Sequence, residues 1–337
     1  MNMNRIAIDA MGGDFAPREI VAGAVAAAQG LKDLTSLFLV GQEDVIRREL
    51  KLIGPIPKKL VICHASEVVG MEETPALAIR KKKDNSISRM MDMINAGEAD
   101  AAISAGNTGA MVVAATLKLR TLEGIQRPAI AAVMPTMGRP IILIDAGANT
   151  DCTPDLLVEF GVMGSVYARE ILGRPNPVVG LMSIGGEDSK GNEITKEAFR
   201  LLSDAPLNFR GNVEGHDLFK GEMDVVVCDG FVGNVVLKTS EGVVHTIGSW
   251  LKREFKANSF RMMGALMLTG ALKSIKKNMD PELFGGAPLL GVNGVCIITH
   301  GSSSRTAIYH AVRMACESVG NHVNGHIIEE ARKLKKT

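Results

Sequence analysis

Short apolar runs alternate with stretches of helical period along almost the whole chain. The runs fall near residues 5–9, 36–40, 60–63, 100–104, 130–134, 141–145, 178–183, 224–228 and 294–299. Continuous runs of Val, Ile, Leu and Ala, without polar alternation, predict strands buried on both faces. Apolar positions three and four apart predict helices near 17–30, 42–52, 74–83, 86–97, 108–120, 153–172, 193–204, 231–256, 260–277, 302–319 and 321–334. Regular alternation of the two predicts an α/β fold, a three-layer α/β/α arrangement with a mostly parallel sheet. No repeat of fixed period and no linker rich in Pro, Ser or charge interrupts the pattern, so residues 1–337 read as a single domain.

The residues that end these runs are polar. Asp9, His64, Ser104, Asp145, Ser183, Asp229 and His300 follow them directly. Most precede glycine or small polar residues, as in Gly106-Asn107-Thr108-Gly109, Gly147-Ala148-Asn149, Gly185-Gly186, Gly230-Phe231-Val232-Gly233-Asn234 and Gly301-Ser302-Ser303-Ser304. The carboxyl ends of an open parallel sheet line one edge, where ligands bind, so the expectation is one shared cleft. Turn chemistry accounts for several of the Asp, Ser and Gly. It accounts less readily for Asn107, Asn149 and Asn234, each just before or inside a helix start. The first such turn runs from Ile6 through Asp9, the Gly12-Gly13 pair and Asp14 to Pro17. A glycine pair there lets backbone amides approach a ligand, and the following helix offers partial positive charge.

Composition narrows the chemistry. Aromatic residues are only 4% against 46% hydrophobic, so the core is aliphatic and Met-rich. A net charge of +1 steers the chain toward no nucleic acid. Five scattered cysteines without a Cys-x-x-Cys fit neither a zinc site nor a disulfide framework, and suit a reducing cytoplasm. The start runs straight into a strand, and no 18-residue apolar span follows, so a soluble cytoplasmic protein is expected. The dinucleotide Gly-x-Gly-x-x-Gly, the Walker loop, the Gly-x-Ser-x-Gly elbow and His-Glu-x-x-His are all missing.

What remains is anion chemistry. Helix starts at Asn107-Thr108 and Ser302-Ser303-Ser304-Arg305 suit phosphate. Lys190, in a polar loop, is either an oxyanion-neutralising cation or a solvated lysine. Asp9, Asp145 and Asp229 either bind Mg²⁺, orient cations, or position Asn and Ser donors. His300 is a proton shuttle or a structural hydrogen-bonder. The run Arg80-Lys81-Lys82-Lys83 is a solvated face or a dock for an acidic protein or a phosphate. From Trp250 to Lys277 the chain carries its only tryptophan and seven cations, Lys252, Arg253, Lys256, Arg261, Lys273, Lys276 and Lys277, against Glu254. An amphipathic segment over about 250–277 either lies on an anionic bilayer, at ~1 kcal/mol per near-surface cation, or buries its Met/Leu face in a homodimer.

Five ordered motifs, Ile8–Asp14, Ile103–Ala110, Asp145–Asn149, Asp229–Asn234 and His300–Ser303, resemble the bacterial phosphate acyltransferases of phospholipid synthesis, the PlsX family. The resemblance spans nearly the whole chain and includes Arg80–Asp84. The loop Ser183-Ile184-Gly185-Gly186-Glu187-Asp188 departs from the family's Asn-Ile-Gly-Glu-Glu form. The resemblance implies transfer of a long-chain acyl group from acyl-[acyl carrier protein] to inorganic phosphate, giving acyl phosphate for phospholipid synthesis. It also implies an isocitrate/isopropylmalate-dehydrogenase-like fold, a homodimer, and a cytoplasmic enzyme peripherally bound to an anionic membrane; no cofactor or metal is assigned. A membrane glycerol-3-phosphate acyltransferase would take the product.

On that implication Lys190, Asn234, His300 and Asp229 are catalytic. Asp9, Gly12, Gly13, Ser104, Asn107, Thr108, Asp145, Asn149, Ser302 and Ser303 bind phosphate or substrate, and Arg80, Lys81, Lys82 and Lys83 dock the carrier protein. Rival expectations are a phosphotransacetylase-like acyl-CoA/phosphate acyltransferase, an oxidative decarboxylase using a nicotinamide and a metal, and a non-catalytic membrane scaffold working through Trp250–Lys277.

Overall fold

A computed structural model describes residues 4–279 and 281–334, without the side chains of 276, 277 and 281. The first half reads β1 (Asn4–Asp9), α1 (Arg18–Gly30), β2 (Leu34–Gly41), α2 (Glu43–Ile53), β3 (Leu60–His64), α3 (Pro75–Lys81), α4 (Ser86–Asn95), β4 (Ala101–Ser104) and α5 (Thr108–Lys118). Then come β5 (Ala129–Met134), β6 (Ile141–Ile144), α6 (Pro154–Glu170), β7 (Val178–Met182), α7 (Glu193–Asp204), β8 (Asn208–Val213), β9 (Val225–Val227) and α8 (Gly230–Phe255). The chain continues with α9 (Ser259–Met267), α10 (Thr269–Asn278), β10 (Ala287–Leu290), β11 (Val295–Ile298), α11 (Arg305–Gly320) and α12 (Val323–Leu334). Short polar residues set many helix starts. Asn85, Asn107, Asn192, Asp229, Asn258 and Ser304 each accept a backbone N–H from three residues on.

The strands form one sheet in the order β3-β2-β1-β4-β11-β10-β5-β6-β9-β7-β8. Pairing is parallel from β3 to β11 and again from β6 to β8. Between these blocks β10 is antiparallel to both β11 and β5, and β5 is antiparallel to β6. Two parallel blocks therefore run in opposite directions. The expectation of a mostly parallel, helix-covered sheet holds, but the expectation that all seven polar strand ends share one edge does not.

Helices cover both faces. Ile20, Val21 and Ala24 of α1 pack with Ile308, Val312 and Ala315 of α11 over β1 and β2. The opposite face of that block carries Met90 and Met91 of α4 and Ala110, Met111 and Ala114 of α5. In the second block Phe160, Met163 and Tyr167 of α6 join Ile327 of α12, while Val232 and Val236 of α8 lie against Leu143 and Val226 across the sheet. Each fully buried aliphatic side chain contributes roughly 1.5–3 kcal/mol, so the few aromatics cost the core little.

Two strands escape the periodicity. β8 reads Asn-Phe-Arg-Gly-Asn-Val and is an edge strand, so only part of it needs to be apolar. β10 is four residues long and contains Pro288, which argues against a central strand. The helix expected over 260–277 is broken at Leu268 into α9 and α10. The expected roles of Lys276 and Lys277 lie outside the described side chains. In α8 only Gly230 and Gly233 are buried, and its distal half joins α9 and α10 in exposing apolar side chains. A groove of about 860 Å³ opens between these three helices, lined by Ile247, Leu251, Phe255, Met262, Leu266 and Ile275 among others.

Candidate active site

The sheet divides the expected site residues into two groups that leave it from opposite edges. The first comes from the ends of β1, β4 and β11. Ser104 Oγ donates to Asp9 Oδ2 at 2.8 Å, and the Gly106 N–H donates to Ser104 Oγ at 3.0 Å. Asp9 also accepts the Met11 N–H at 3.1 Å. A Cβ on Gly12 would overlap the Asp9 carboxylate and lie 2.7 Å from the Gly106 nitrogen, so only glycine lets these loops meet. Gly13 has a φ of +107°, and the next N–H, from Asp14, donates to the Gly301 carbonyl at 2.7 Å. Burial pushes the Asp9 carboxyl above the usual carboxylate value, while Ser86, Ser104 and the Met11 and Gly12 amides pull it back.

Several donors expected to hold phosphate are already used inside the protein. The Asn107 carboxamide oxygen accepts the Ala110 N–H, and its NH₂ donates to the carbonyls of Gly70, Met71 and Glu73 at 3.0–3.3 Å. Ser302 N–H donates to His300 Nδ1 at 3.2 Å, and Ser303 N–H donates to the His300 carbonyl at 2.9 Å. Glu19 takes the Arg305 N–H at 3.0 Å together with its guanidinium, so the start of α11 already holds an anion. At the start of α5 the Thr108 and Gly109 N–H groups have no partner among the described residues, and Thr108 is exposed. This helix start is the open anion-facing end of the first group. His300, which follows β11 next to β4, is exposed. Its Nδ1 faces Ser302, 2.7 Å from the hydroxyl oxygen and 3.2 Å from the backbone nitrogen, which leaves Nε2 as the open ring nitrogen.

The second group comes from the ends of β6, β7 and β9. Asp145 has no exposed surface and accepts N–H groups from Ile130, Gly147, Ala148 and Asn149, plus the Asn149 side chain at 2.9 Å. Asn149 spends its other amide hydrogen on the Pro128 carbonyl at 2.8 Å. Both Asp145 oxygens and both Asn149 amide hydrogens are therefore used in shaping the loop. Asp229 caps α8 through the Val232 N–H at 2.8 Å. Asn234, one turn on, is exposed over Gly147, and Lys190 is exposed beside Gly185. Neither the Asn234 amide nor the Lys190 ammonium has a partner among the described residues. The two groups are not unrelated in space: Ala148 and Leu237 of α8 pack into the same cluster as Ala110 and Met111 of α5.

The basic run also divides. Arg80, Lys81 and Lys83 are exposed and unpaired among the described residues. Lys82 turns inward, donating to the Val68 carbonyl at 2.6 Å and to Glu73, whose carboxyl it holds below the usual range. The sequence missed Glu73, and the loop 66–73 that carries it has neither strand nor helix period to flag it. Glu282 was missed too; it accepts the Ser304 hydroxyl at 2.6 Å and is among the residues lining the apolar groove. Among the described residues, the group with metal-ligand spacing is half-buried Glu214 and Asp217 with exposed His216, and it includes none of the three strand-end acids.

Residues 4–326 match the model of a family described as Fatty acid synthesis protein. A phosphate acyltransferase from Trichlorobacter lovleyi is 47% identical over 326 residues, covering 97% of this chain and 94% of that one. One from Desulfitobacterium hafniense is 49% identical over 332 residues, covering 98% and 97%. Among solved structures, a phosphotransacetylase from Streptococcus pyogenes superimposes with a TM-score of 0.61 at 18% identity, covering 94% of each chain, which shows a shared fold.

Proposed function

The chain belongs to the Fatty acid synthesis protein family, whose curated relatives are named phosphate acyltransferase, and from this we propose that it moves a long-chain acyl group from acyl-[acyl carrier protein] to inorganic phosphate. What carries the reading is identity near one half over almost the full length of those acyltransferases. The product, an acyl phosphate, feeds phosphatidic acid and phospholipid synthesis. Phosphate dianion is itself a nucleophile at neutral pH, so no Ser or Cys nucleophile is required. A phosphate oxygen bonds the thioester carbonyl carbon, the C–S bond breaks, and the carrier thiolate takes a proton. The protein's share is to align two substrates and stabilise the tetrahedral oxyanion.

Phosphate sits on the free Thr108 and Gly109 amides at the start of α5, with the Thr108 hydroxyl as a further donor. Asp9, Gly12, Gly13 and Ser104 hold the loop beneath it, and His300, doubly protonated, gives its Nε2 proton to the leaving thiolate and returns to the neutral ring, its Nδ1–H held by Ser302 Oγ. Asn234 and Lys190, the free amide and cation of the second group, stabilise the oxyanion, on the side where Leu237 of α8 meets the cluster shared with α5. Asp229 sets the start of α8, and Asp145 with Asn149 sets the loop below Asn234.

The acidic carrier docks on Arg80, Lys81 and Lys83. The enzyme works as a homodimer at the membrane surface, where the exposed apolar faces of α8, α9 and α10 and their cations rest on anionic lipid. There the product passes to a glycerol-3-phosphate acyltransferase. The phosphotransacetylase-like alternative has only a distant structural likeness behind it. Incubating the protein with palmitoyl carrier protein and phosphate should give a hydroxylamine-reactive acyl phosphate, and acetyl-CoA should give none. Product from acetyl-CoA alone would reverse the assignment.

A further inference from the structure

Lys82 is the half-buried member of the basic run, and its ammonium is bonded within the protein. Its ammonium donates to the Val68 carbonyl at 2.6 Å and to Glu73 Oε1, which in turn accepts the Gly70 N–H at 2.6 Å. One lysine thus ties both ends of the loop from Val68 to Glu73. The same loop gives three carbonyls to the Asn107 side chain, and Asn107 caps α5. Pro75, just past the loop, packs so closely on Gly109 that a Cβ there would sit 2.5 Å from the ring. Met71, at the loop's tip, reaches the third strand-end loop, its Cε 3.2 Å from where a Gly301 Cβ would stand. The loop therefore walls the open first turn of α5 on the side facing His300 and Gly301.

We propose that Lys82 is a positioning residue for phosphate: through Glu73 and Asn107 it fixes the wall beside the Thr108 and Gly109 amides, while its neighbours Arg80, Lys81 and Lys83 serve the carrier protein. This rests on the placement of phosphate at α5 given above. Neighbouring lysines in one short run then act on different substrates because the turn after α3, at Lys82, points one ammonium in and leaves the others out.

The test is a split of Michaelis constants on the full-length enzyme. Lys82→Met should raise the KM for phosphate about tenfold and leave the KM for palmitoyl carrier protein within about twofold. Glu73→Gln should do the same, and the double variant should be no worse than either single one, because both break one connection. Lys82→Arg should recover part of the loss. Lys81→Glu and Lys83→Glu should raise only the carrier KM. A carrier KM raised by Lys82→Met with phosphate KM unchanged would overturn the proposal, as would additive effects of the Lys82 and Glu73 changes. Thr108→Val separates the two levels. If it raises the phosphate KM and Lys82→Met does not, the phosphate site stands and the role of Lys82 fails; if it leaves phosphate KM unchanged, the placement at α5 fails first.

Discussion

Ser104 Oγ and Asp9 Oδ2 lie 2.8 Å apart across 95 residues of sequence, closing the ends of two adjacent parallel strands. Asp9 is 2% exposed, so each donor it accepts would be left dry if it were removed. Ser104→Ala should lower unfolding free energy by about 1 kcal/mol. Asp9→Ala should cost more, at about 1–3 kcal/mol for each buried donor left without a partner. Urea denaturation of both variants checks the order; a larger loss for Ser104→Ala would contradict it.

The raised Asp9 pKa adds a pH signature. A carboxyl whose folded pKa lies above its unfolded value, about 3.9, contributes stability that is full below that value and lost as pH rises through the folded pKa. Asp9→Asn cannot titrate. The melting-temperature difference between it and the parent should therefore shift in favour of the Asn variant as pH rises from about 4. A flat difference, or one moving the other way, would show that burial does not dominate at Asp9.

Much of the fold and part of this site are legible in the chain. Uninterrupted aliphatic runs ending in Asp, Ser or His mark strands whose last residue turns to bond a neighbouring loop, and Asp9, Ser104 and Asp145 do so. What the chain conceals is direction. An apolar run looks the same whether it points up or down the sheet, so nothing in Ile141–Ile144 shows that Asp145 emerges opposite Asp9. Consumption of donors is concealed as well. Asn107, Asn149 and Ser303 look like ligand donors by type and position, and only the folded loops reveal that backbone groups have taken them. Lys82 hides for the same reason, because its partner Glu73 lies in a loop without period.

Two glycines of α8 should answer oppositely to one substitution. A Cβ on Gly233 would overlap the Asp145 carbonyl oxygen, and backbone on both sides prevents relief. Gly242, mid-helix, has nothing within 4 Å of a built Cβ. Gly242→Ala should raise stability by about 0.5–1 kcal/mol through helix propensity. Gly233→Ala should lower the melting temperature sharply and disturb the Asp145–Asn149 loop. Calorimetry on the two variants decides it, and a mild effect at Gly233 would mean that α8 can shift away from the loop.

The cysteines should separate by reactivity. Burial pushes Cys152 up to about 11 and Cys296 and Cys316 up to about 12, and it raises Cys228 well beyond its usual value with help from Asp145 and Asp229. Thiolate is the reactive form, so these four should resist alkylation in the native protein. Half-buried Cys63 should take iodoacetamide first at neutral pH. Mass spectrometry of native and urea-unfolded samples reads this directly, and early labelling of Cys228 would place solvent in a region now closed.

The exposed apolar face of α8, α9 and α10 carries its own reporter. Trp250, the single tryptophan, is 57% exposed, and Phe260, Leu266 and Met267 are more open still. Lys252, Arg253, Lys256 and Lys273 stand among them, and no helix of the described residues is long and apolar enough to cross a bilayer. An interfacial mode needs both parts: apolar side chains to enter the acyl boundary and cations to meet lipid phosphate. Trp250 fluorescence should shift to the blue with vesicles containing anionic lipid and stay unchanged with neutral ones. Lys252→Glu with Lys256→Glu should weaken binding by ~1 kcal/mol for each cation lost, about fivefold apiece, and more where the new charge repels lipid. Turnover of carrier-bound substrate in solution should persist in that variant, as an enzyme requires and a scaffold does not. Light scattering on the same sample separates the alternatives: a fall to monomer with lipid binding intact would assign these cations to a homodimer contact instead.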